Sequence, residues 1–331
     1  MKNNPNNSPL TSAEIGKLWA TYIGNSMSEK VLLHFFQHVE DSEIRDVIGF
    51  SLRLCQDFVK RVENIYKSVG HPIPIGFTDE DVNLEAPRLF KDEFYLHYLR
   101  NAIRSGISVY GVAVPLVTRK DIREFFIYAV DESMKLVVRL NELLENKAQS
   151  SPAPPAIPIP NQIDFVKKKS YFRGFIGEVR PLHALEIAHL YDNITSNSVG
   201  HALLYAFSRV AQAEKIGQLF KRGLEFSTKA IETYSHYLME CHLQCPPLFD
   251  HLVTLNDLSP FSDKLMLFHE VNHFSIRIRD FGNSIAVNGR HDLAASYFKT
   301  FMTVGLFVQE AGNLLVENGW MERMPEAPTY K

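Results

Sequence analysis

The segment LTSAEIGKLWATYIGN at residues 10–25 returns as LHALEIAHLYDNITSN at residues 182–197. A shift of 172 positions superimposes residues 10–77 on 182–249, and a shift of 171 superimposes 82–144 on 253–315. The lost residue falls between the two stretches, where we expect a loop in the middle of each copy. A chain that is written twice is expected to fold as two similar units, so the repeat decides the architecture.

Both copies show apolar residues at helical spacing, as in Ile15, Leu18 and Tyr22, and no segment alternates as a strand does. The pattern predicts eight helices, four in each copy, at residues 11–39, 42–69, 89–114, 119–146, 183–211, 213–242, 261–287 and 291–317. Helices of this length are rods of about 40 Å, which suit antiparallel bundles. We therefore predict an all-α fold of two tandem antiparallel four-helix bundles that arose by internal duplication.

Five prolines between Gln149 and Pro160 separate the copies and favour an extended tether. The predicted organisation is a disordered tail (1–9), a first bundle (10–147), a proline-rich linker and connector (148–180) and a second bundle (181–325).

Composition excludes several classes of protein. A net charge of −3, from 35 basic and 38 acidic residues, lacks the basic footprint of a nucleic-acid binder. No apolar run is long enough for a transmembrane segment, and residues 1–9 lack the apolar core of a signal peptide. Three cysteines make a disulfide framework improbable, so we expect a cytoplasmic protein. No glycine-rich phosphate loop is present, and we expect no nucleotide cofactor.

One pair of potential metal ligands lies near the start of the second copy. Glu186 and His189 are one helical turn apart, a spacing that carboxylate-type metal sites in bundles use. The first copy keeps the carboxylate as Glu14 but has Lys17 in place of the histidine, and a protonated lysine cannot ligate a metal. Helix capping explains Glu14. In the second copy His183 replaces the capping threonine, so capping explains Glu186 less well; a metal ligand and an exposed first-turn glutamate stabilised by the helix dipole are the two interpretations.

The sequence HEVNH at residues 269–273 matches the H-E-x-x-H signature of zinc proteases. A protease is improbable, because no third ligand follows at a typical spacing and the fold contains no strand to align a substrate. At the aligned positions the first copy has Tyr98 and Ala102, so the histidine pair belongs to the second copy alone.

Two interpretations of these histidines stay open. In the first, they complete a mononuclear or dinuclear metal site in the second bundle, formed from Glu186, His189 and His269, with His273 and Glu310 as outer candidates. In the second, they form a polar stripe with Arg277 and Asp280 on the same helix.

Two arginines recur in both copies, each two residues before an aspartate that opens the fourth helix. We expect Arg119 and Arg290 to reach Asp92 and Asp263 at the start of the third helices and so hold the long loops down. An anion site at a helix N-terminus is the alternative.

A set of short motifs resembles an uncharacterised family from endospore-forming bacteria, made of two ferritin-like bundles in tandem and distantly similar to spore coat protein F. The matching segments are EIG (14–16) with LW (18–19), PIPIGF (72–77), DVN (81–83), RPL (180–182), PFSDKLM (260–266) and GWME (319–322). The resemblance implies the bundle fold and an iron-type metal site, with manganese or zinc as other candidates. It implies no established activity, and whether the protein is an enzyme stays open.

Two hypotheses of function follow. The first is a ferritin-like metal-binding protein of unknown activity with its site in the second bundle. The second is a non-catalytic structural or interaction protein of sporulation or stress, associated with the spore. It is favoured by the absence of the four inward carboxylates of a full di-iron site. Exposed aromatic residues would in either case allow copies of the chain to associate.

Overall fold

The computed structural model describes residues 9–147, 153–287 and 289–327. The predicted tail, except Pro9, and residues 148–152 of the predicted linker lie outside the described residues. The described part contains eight long α-helices and no β-strand, which confirms the predicted fold class. They are α1 (Ser12–His38), α2 (Ser42–Ser68), α3 (Asp92–Ala113), α4 (Lys120–Lys147), α5 (Ala184–Val210), α6 (Glu214–Glu240), α7 (Asp263–Val287) and α8 (His291–Glu317).

The chain divides into two compact units that do not coincide with the two sequence copies. Unit 1 comprises Met1–Gln149, Thr254–Met266 and Leu315–Lys331, and unit 2 comprises Ser150–Val253 and Leu267–Leu314. Two segments of the second copy, before and after most of its α7–α8 hairpin, therefore belong to the unit that holds the first copy.

Hydrogen bonds to backbone groups of the first copy attach both of these segments within unit 1. Val82 and Phe261 form an isolated antiparallel bridge. The amide of Asn83 donates to the carbonyl of Pro260 at 2.8 Å. The carboxylate of Glu322 accepts from the amide of Ile75 at 2.9 Å. The motifs PIPIGF, DVN, PFSDKLM and GWME thus meet in one place, which explains why they occur together in this chain.

In unit 2, α5 and α7 run antiparallel. At the end of α5, the ring of Phe207 lies edge-on to His269 near the start of α7, with ring centroids 5.8 Å apart. At the start of α5, Glu186 accepts hydrogen bonds from the amides of Gly289 and Arg290, which follow α7. This direction fixes the height at which each residue of α7 meets α5.

The end of α6 shows how the copies differ at one backbone position. His242 adopts a left-handed conformation with φ of 55°, where the first copy has Gly70 with φ of 68°. In both copies this residue closes the helix through the next amide, which donates from Leu243 to the carbonyl of Leu238 and from His71 to that of Tyr66. A residue with a side chain costs about 1–2 kcal/mol in this conformation, so His242 is strained. The helix α6 ends at Glu240, two residues earlier than predicted.

A glycine on α5 makes room for a buried histidine in the interior of unit 2. A Cβ atom built on Gly200 would lie 2.2 Å from Cε1 of His273, so the ring fits only because α5 has no side chain there. At the aligned positions the first copy has Ser28 and Ala102. The two copies therefore fill the same space with a glycine and a large ring or with two small side chains.

This exchange yields a test by double mutation. We expect Gly200→Ser to lower the free energy of unfolding by about 1–3 kcal/mol, because the new side chain overlaps the buried ring of His273. Adding His273→Ala, which recreates the pair found in the first copy, should recover most of that loss in urea titrations, with His273→Ala alone as the control. If Gly200→Ser and the double variant Gly200→Ser/His273→Ala were equally stable, residues 200 and 273 would not share this space.

Candidate functional site

The predicted ligand Glu186 is fully buried, and both of its oxygens already carry hydrogen bonds. Arg180 binds the carboxylate with two nitrogens, at 2.7 and 2.8 Å. The amide of His183 donates at 3.0 Å, and the amides of Gly289 and Arg290 donate at 3.1 Å. Glu186 therefore ties the connector and the start of α5 to the start of α8.

His183 caps α5 in place of the expected serine or threonine. Its Nδ1 accepts from the amide of Glu186 at 3.2 Å, while the carboxylate of Glu186 accepts from the amide of His183. The reciprocal pair is a capping box with imidazole as the acceptor. The absence of a hydroxyl residue at position 183 thus does not favour a ligand role for Glu186.

Glu14 plays the same part in unit 1. Its carboxylate accepts from the amides of Thr11 at 2.8 Å, Thr118 at 2.9 Å and Arg119 at 2.8 Å, and from the Thr118 hydroxyl at 3.0 Å. Burial by itself raises the pKa of Glu14, but the amides of Arg119, Thr11 and Thr118 outweigh it and lower the pKa to about 2. The pKa of Glu186 is also lowered, because Arg180 and the amide of His183 outweigh the effect of burial.

The two recurrent arginines support these glutamates without contacting the predicted partner. Arg290 forks onto Asp292 through Nε at 3.1 Å and Nη2 at 2.7 Å, and its Nη1 donates to the carbonyl of Arg180. Arg119 forks onto Asp121 with the same two distances. The prediction that Arg119 and Arg290 reach Asp92 and Asp263 is wrong, because these aspartates open α3 and α7 while the arginines follow the other ends of those helices, at least about 30 Å away.

His269 and His273 lie inside unit 2 on either side of a buried acid. Glu270 is fully buried, with Oε1 at 3.4 Å from Nδ1 of His269 and Oε2 at 3.9 Å from Nδ1 of His273. Burial raises the pKa of Glu270. Arg277, two turns further along α7, is also buried and donates to the hydroxyl of Ser227 at 3.2 Å. Burial lowers the pKa of Arg277 to about 10.

The aligned residues of the first copy are Tyr98, Leu99, Ala102 and Gly106. The second copy thus carries two imidazoles, a carboxylate and a guanidinium at positions where the first copy has a tyrosine, a leucine, an alanine and a glycine. The sequence signal for Glu270 is its alignment with Leu99 of the first copy, which places a carboxylate at a core position. The zinc-protease signature gives Glu270 only the role of a catalytic base. The buried cluster corresponds more closely to the predicted polar stripe than to the predicted five-ligand set.

The structure does not bring the five predicted ligands together. His269 packs on Phe207, which follows Glu186 by 21 residues on α5, a distance of about 31 Å along a helix. Glu310 forms an ion pair with Arg222, and both side chains are about half exposed. His189 is half-buried, and its carbonyl accepts from the amide group of Asn193 at 2.7 Å.

An iron-type centre built from that set does not fit this arrangement. Within residues 9–147, 153–287 and 289–327, no three His, Cys, Asp or Glu side chains are grouped so that they could hold a metal ion. Metal binding by His269 and His273 stays a prediction.

An open cleft of about 1,100 Å³ lies at the end of α6 in unit 2, and Arg180 and Arg290 are among its lining residues. Both guanidinium groups are bound to carboxylates of the same unit. At the rim, Nε2 of His236 lies 3.2 Å from the carboxylate of Glu240. The cleft therefore offers no arginine that lacks a counter-ion.

The surface of unit 2 carries an apolar stripe along α8. Phe298, Met302 and Leu306 follow one another at intervals of four residues and are 59%, 50% and 65% exposed. At the positions of Met302 and Leu306 the first copy has Asp131 and Lys135, which form an ion pair at 2.8 Å on α4. On α4, Ile127, Met134 and Val138 are also about half exposed, so the two copies differ at the positions of Met302 and Leu306 and not along the whole outer side of the helix.

These features define an all-α protein with two four-helix bundles. In each bundle an equivalent buried glutamate links the start of the first helix to the start of the fourth. A family described as "Protein of unknown function (DUF3231)" matches the chain twice, at residues 1–161 and 171–331. The chain belongs to this family, and the two matches confirm the internal duplication.

No curated protein matches the chain. A crystal structure described as that of a "putative spore coat protein" from Bacillus halodurans C-125 is 20% identical, with a TM-score of 0.40. The match covers 49% of this chain and 100% of that one. A likeness this distant carries no argument about function. None of the described helices is long and apolar enough to cross a membrane.

The lowered pKa of Glu14 predicts how stability responds to acid. The folded pKa of about 2 lies below the ordinary value of 4.5, so the unfolded chain binds the proton first as the pH falls between these values. The stability that Glu14 contributes is complete above pH 4.5 and is lost towards pH 2. Wild type should therefore exceed Glu14→Gln in urea midpoint near neutral pH, by a margin that shrinks in this window.

The control is Glu124→Gln, since that side chain is 64% exposed and a change there should leave the midpoint nearly constant. A gap between wild type and Glu14→Gln that stays constant down to pH 2 would contradict the assigned role of Glu14.

Proposed function

We propose that the protein is a non-catalytic structural or interaction protein that acts through the surface of its second bundle. The observation that carries the proposal is the exposed stripe of Phe298, Met302 and Leu306 on α8. Three large apolar side chains in a row, each at least half exposed, are typical of a protein contact surface.

The stripe is not needed to complete the bundle. Val304 and Phe307 on the same helix are 1% and 2% exposed, and they supply its core-facing side. Fully burying a side chain the size of Leu, Met or Phe contributes about 1.5–3 kcal/mol. A partner that covers all three residues would therefore gain several kcal/mol from exposed area that the isolated chain leaves in water.

The first copy serves as a reference for this surface. The same bundle position is compatible with the ion pair between Asp131 and Lys135, so the fold itself does not require Met302 and Leu306. Because α4 also exposes Ile127, the comparison supports a contact at the positions of Met302 and Leu306 in particular.

The positions of the predicted ligands also support the proposal. Glu186 is occupied by Arg180 and three backbone amides, and Glu310 is paired with Arg222. These acids serve folding and surface pairing, which supports the second hypothesis of function. A place in sporulation or stress, which the resemblance of the motifs implies, is part of this proposal.

Methionine oxidation in whole cells tests whether the stripe is covered. Met302 and Met134 are 50% and 49% exposed and lie on the equivalent helices α8 and α4, so Met134 is the matched control. Met266, which is fully buried, marks the background. In dilute purified protein, brief peroxide treatment should oxidise Met302 and Met134 to a similar extent.

In cells that produce the protein, we expect oxidation of Met302 to fall at least about threefold relative to Met134, because a partner excludes the oxidant. An unchanged ratio of Met302 to Met134 oxidation in cells would contradict the proposed function.

A further inference from the structure

Two charged residues of α8 lie along one side of the stripe. Lys299 and Glu310 are the only charged residues of this helix between Asp292 and Glu317, and both are exposed. They are eleven residues apart, close to three turns of an α-helix, so they lie on the same side of the stripe. Their midpoint falls between Val304 and Gly305.

Gly305 has no internal reason to be glycine. A Cβ atom built there meets nothing within 4 Å, and the aligned residue of the first copy is Met134. Glycine inside a helix costs about 1 kcal/mol relative to alanine. A glycine between Met302 and Leu306 on an exposed apolar stripe allows the backbone of another helix to approach closely.

We propose that the occupant of this surface is a second copy of the chain, with the two α8 helices packed antiparallel about a two-fold axis near Gly305. This inference rests on the proposed function and names its partner. In this arrangement Lys299 of each copy lies opposite Glu310 of the other. Met302 of each copy packs beside Leu306 of the other.

The charges decide the direction of the pair. A parallel pair in the same register would place Lys299 against Lys299 and Glu310 against Glu310, which is repulsive. The antiparallel pair converts both contacts into attractions and is self-complementary, as a two-fold interface must be. Glu310 would then bridge Lys299 of the other copy and Arg222 of its own.

The stripe from Phe298 to Glu310 is about 18 Å long, which corresponds to a small interface. We therefore expect reversible dimers that form at micromolar concentration, with exchange between copies.

Sedimentation equilibrium of the full chain tests this inference. Between about 1 and 200 μM, the wild type should pass from monomer to dimer, as expected for a small interface. The variant Met302→Asp/Leu306→Lys carries the residues of the first copy and should weaken dimerisation at least about tenfold. Its thermal unfolding should match the wild type, since both side chains are exposed. Lys299→Glu should also weaken the dimer, and Lys299→Glu/Glu310→Lys should recover part of the loss.

Disulfide formation tests the position of the axis. Gly305→Cys should cross-link pairs of chains under mild oxidation, because the two positions lie close to the two-fold axis. Met134→Cys, at the aligned position of α4, should not. A wild type that stays monomeric over the whole concentration range would overturn the inference, as would a dimer that Met302→Asp/Leu306→Lys leaves intact. If the wild type is monomeric but Met302 is protected in cells, the proposed function stands and the partner is a different protein.

Discussion

A buried glutamate at the start of the first helix holds each bundle together. Glu14 and Glu186 each accept hydrogen bonds from backbone amides at the start of their own helix and at the start of the fourth helix. Helix starts are places where amides lack partners within the helix. A carboxylate that satisfies two helix starts at once fixes the distance between them and brings the ends of the first and fourth helices together. The antiparallel arrangement of α5 and α7 is consistent with this closure, because it places the end of α7 beside Glu186 at the start of α5.

The two copies share this framework but differ at several aligned positions, both in the interior and on the surface. The interior has exchanged Ser28 and Ala102 for Gly200 and His273, a change that conserves space but introduces an imidazole. The surface has exchanged an ion pair for Met302 and Leu306. The buried carboxylate of Glu270 belongs to the same divergence. It costs solvation energy, which the raised pKa of this group reflects. The two copies therefore differ both in a buried polar cluster and at two exposed positions of the fourth helix.

Much of the fold could be predicted from the sequence, because a repeat and a helical period are one-dimensional signals. They were sufficient for eight helices and two bundles. The ligand set could not be predicted in the same way. Helical period tells which face Glu186 and His269 occupy, but not their height in the bundle, and α5 and α7 run in opposite directions. The ion-pair partner of Glu186 could not be predicted from the helical pattern either. Arg180 lies outside the helix, six residues earlier, and His183 caps through a ring nitrogen rather than a hydroxyl. The exposed side of α8 likewise cannot be distinguished from a core side until the packing of the bundle is known.

We propose that the acids and histidines of the second bundle serve its structure and that its function lies on its surface. Elemental analysis of the untagged protein tests this most directly. The protein would be produced with added iron, manganese and zinc and purified without chelator, with His269→Ala prepared in parallel. We expect well under one metal atom per chain in both proteins, since no described group of side chains is arranged as a metal site. One or two atoms per chain in the wild type, absent from His269→Ala, would contradict the claim and establish a metal centre at the buried histidines.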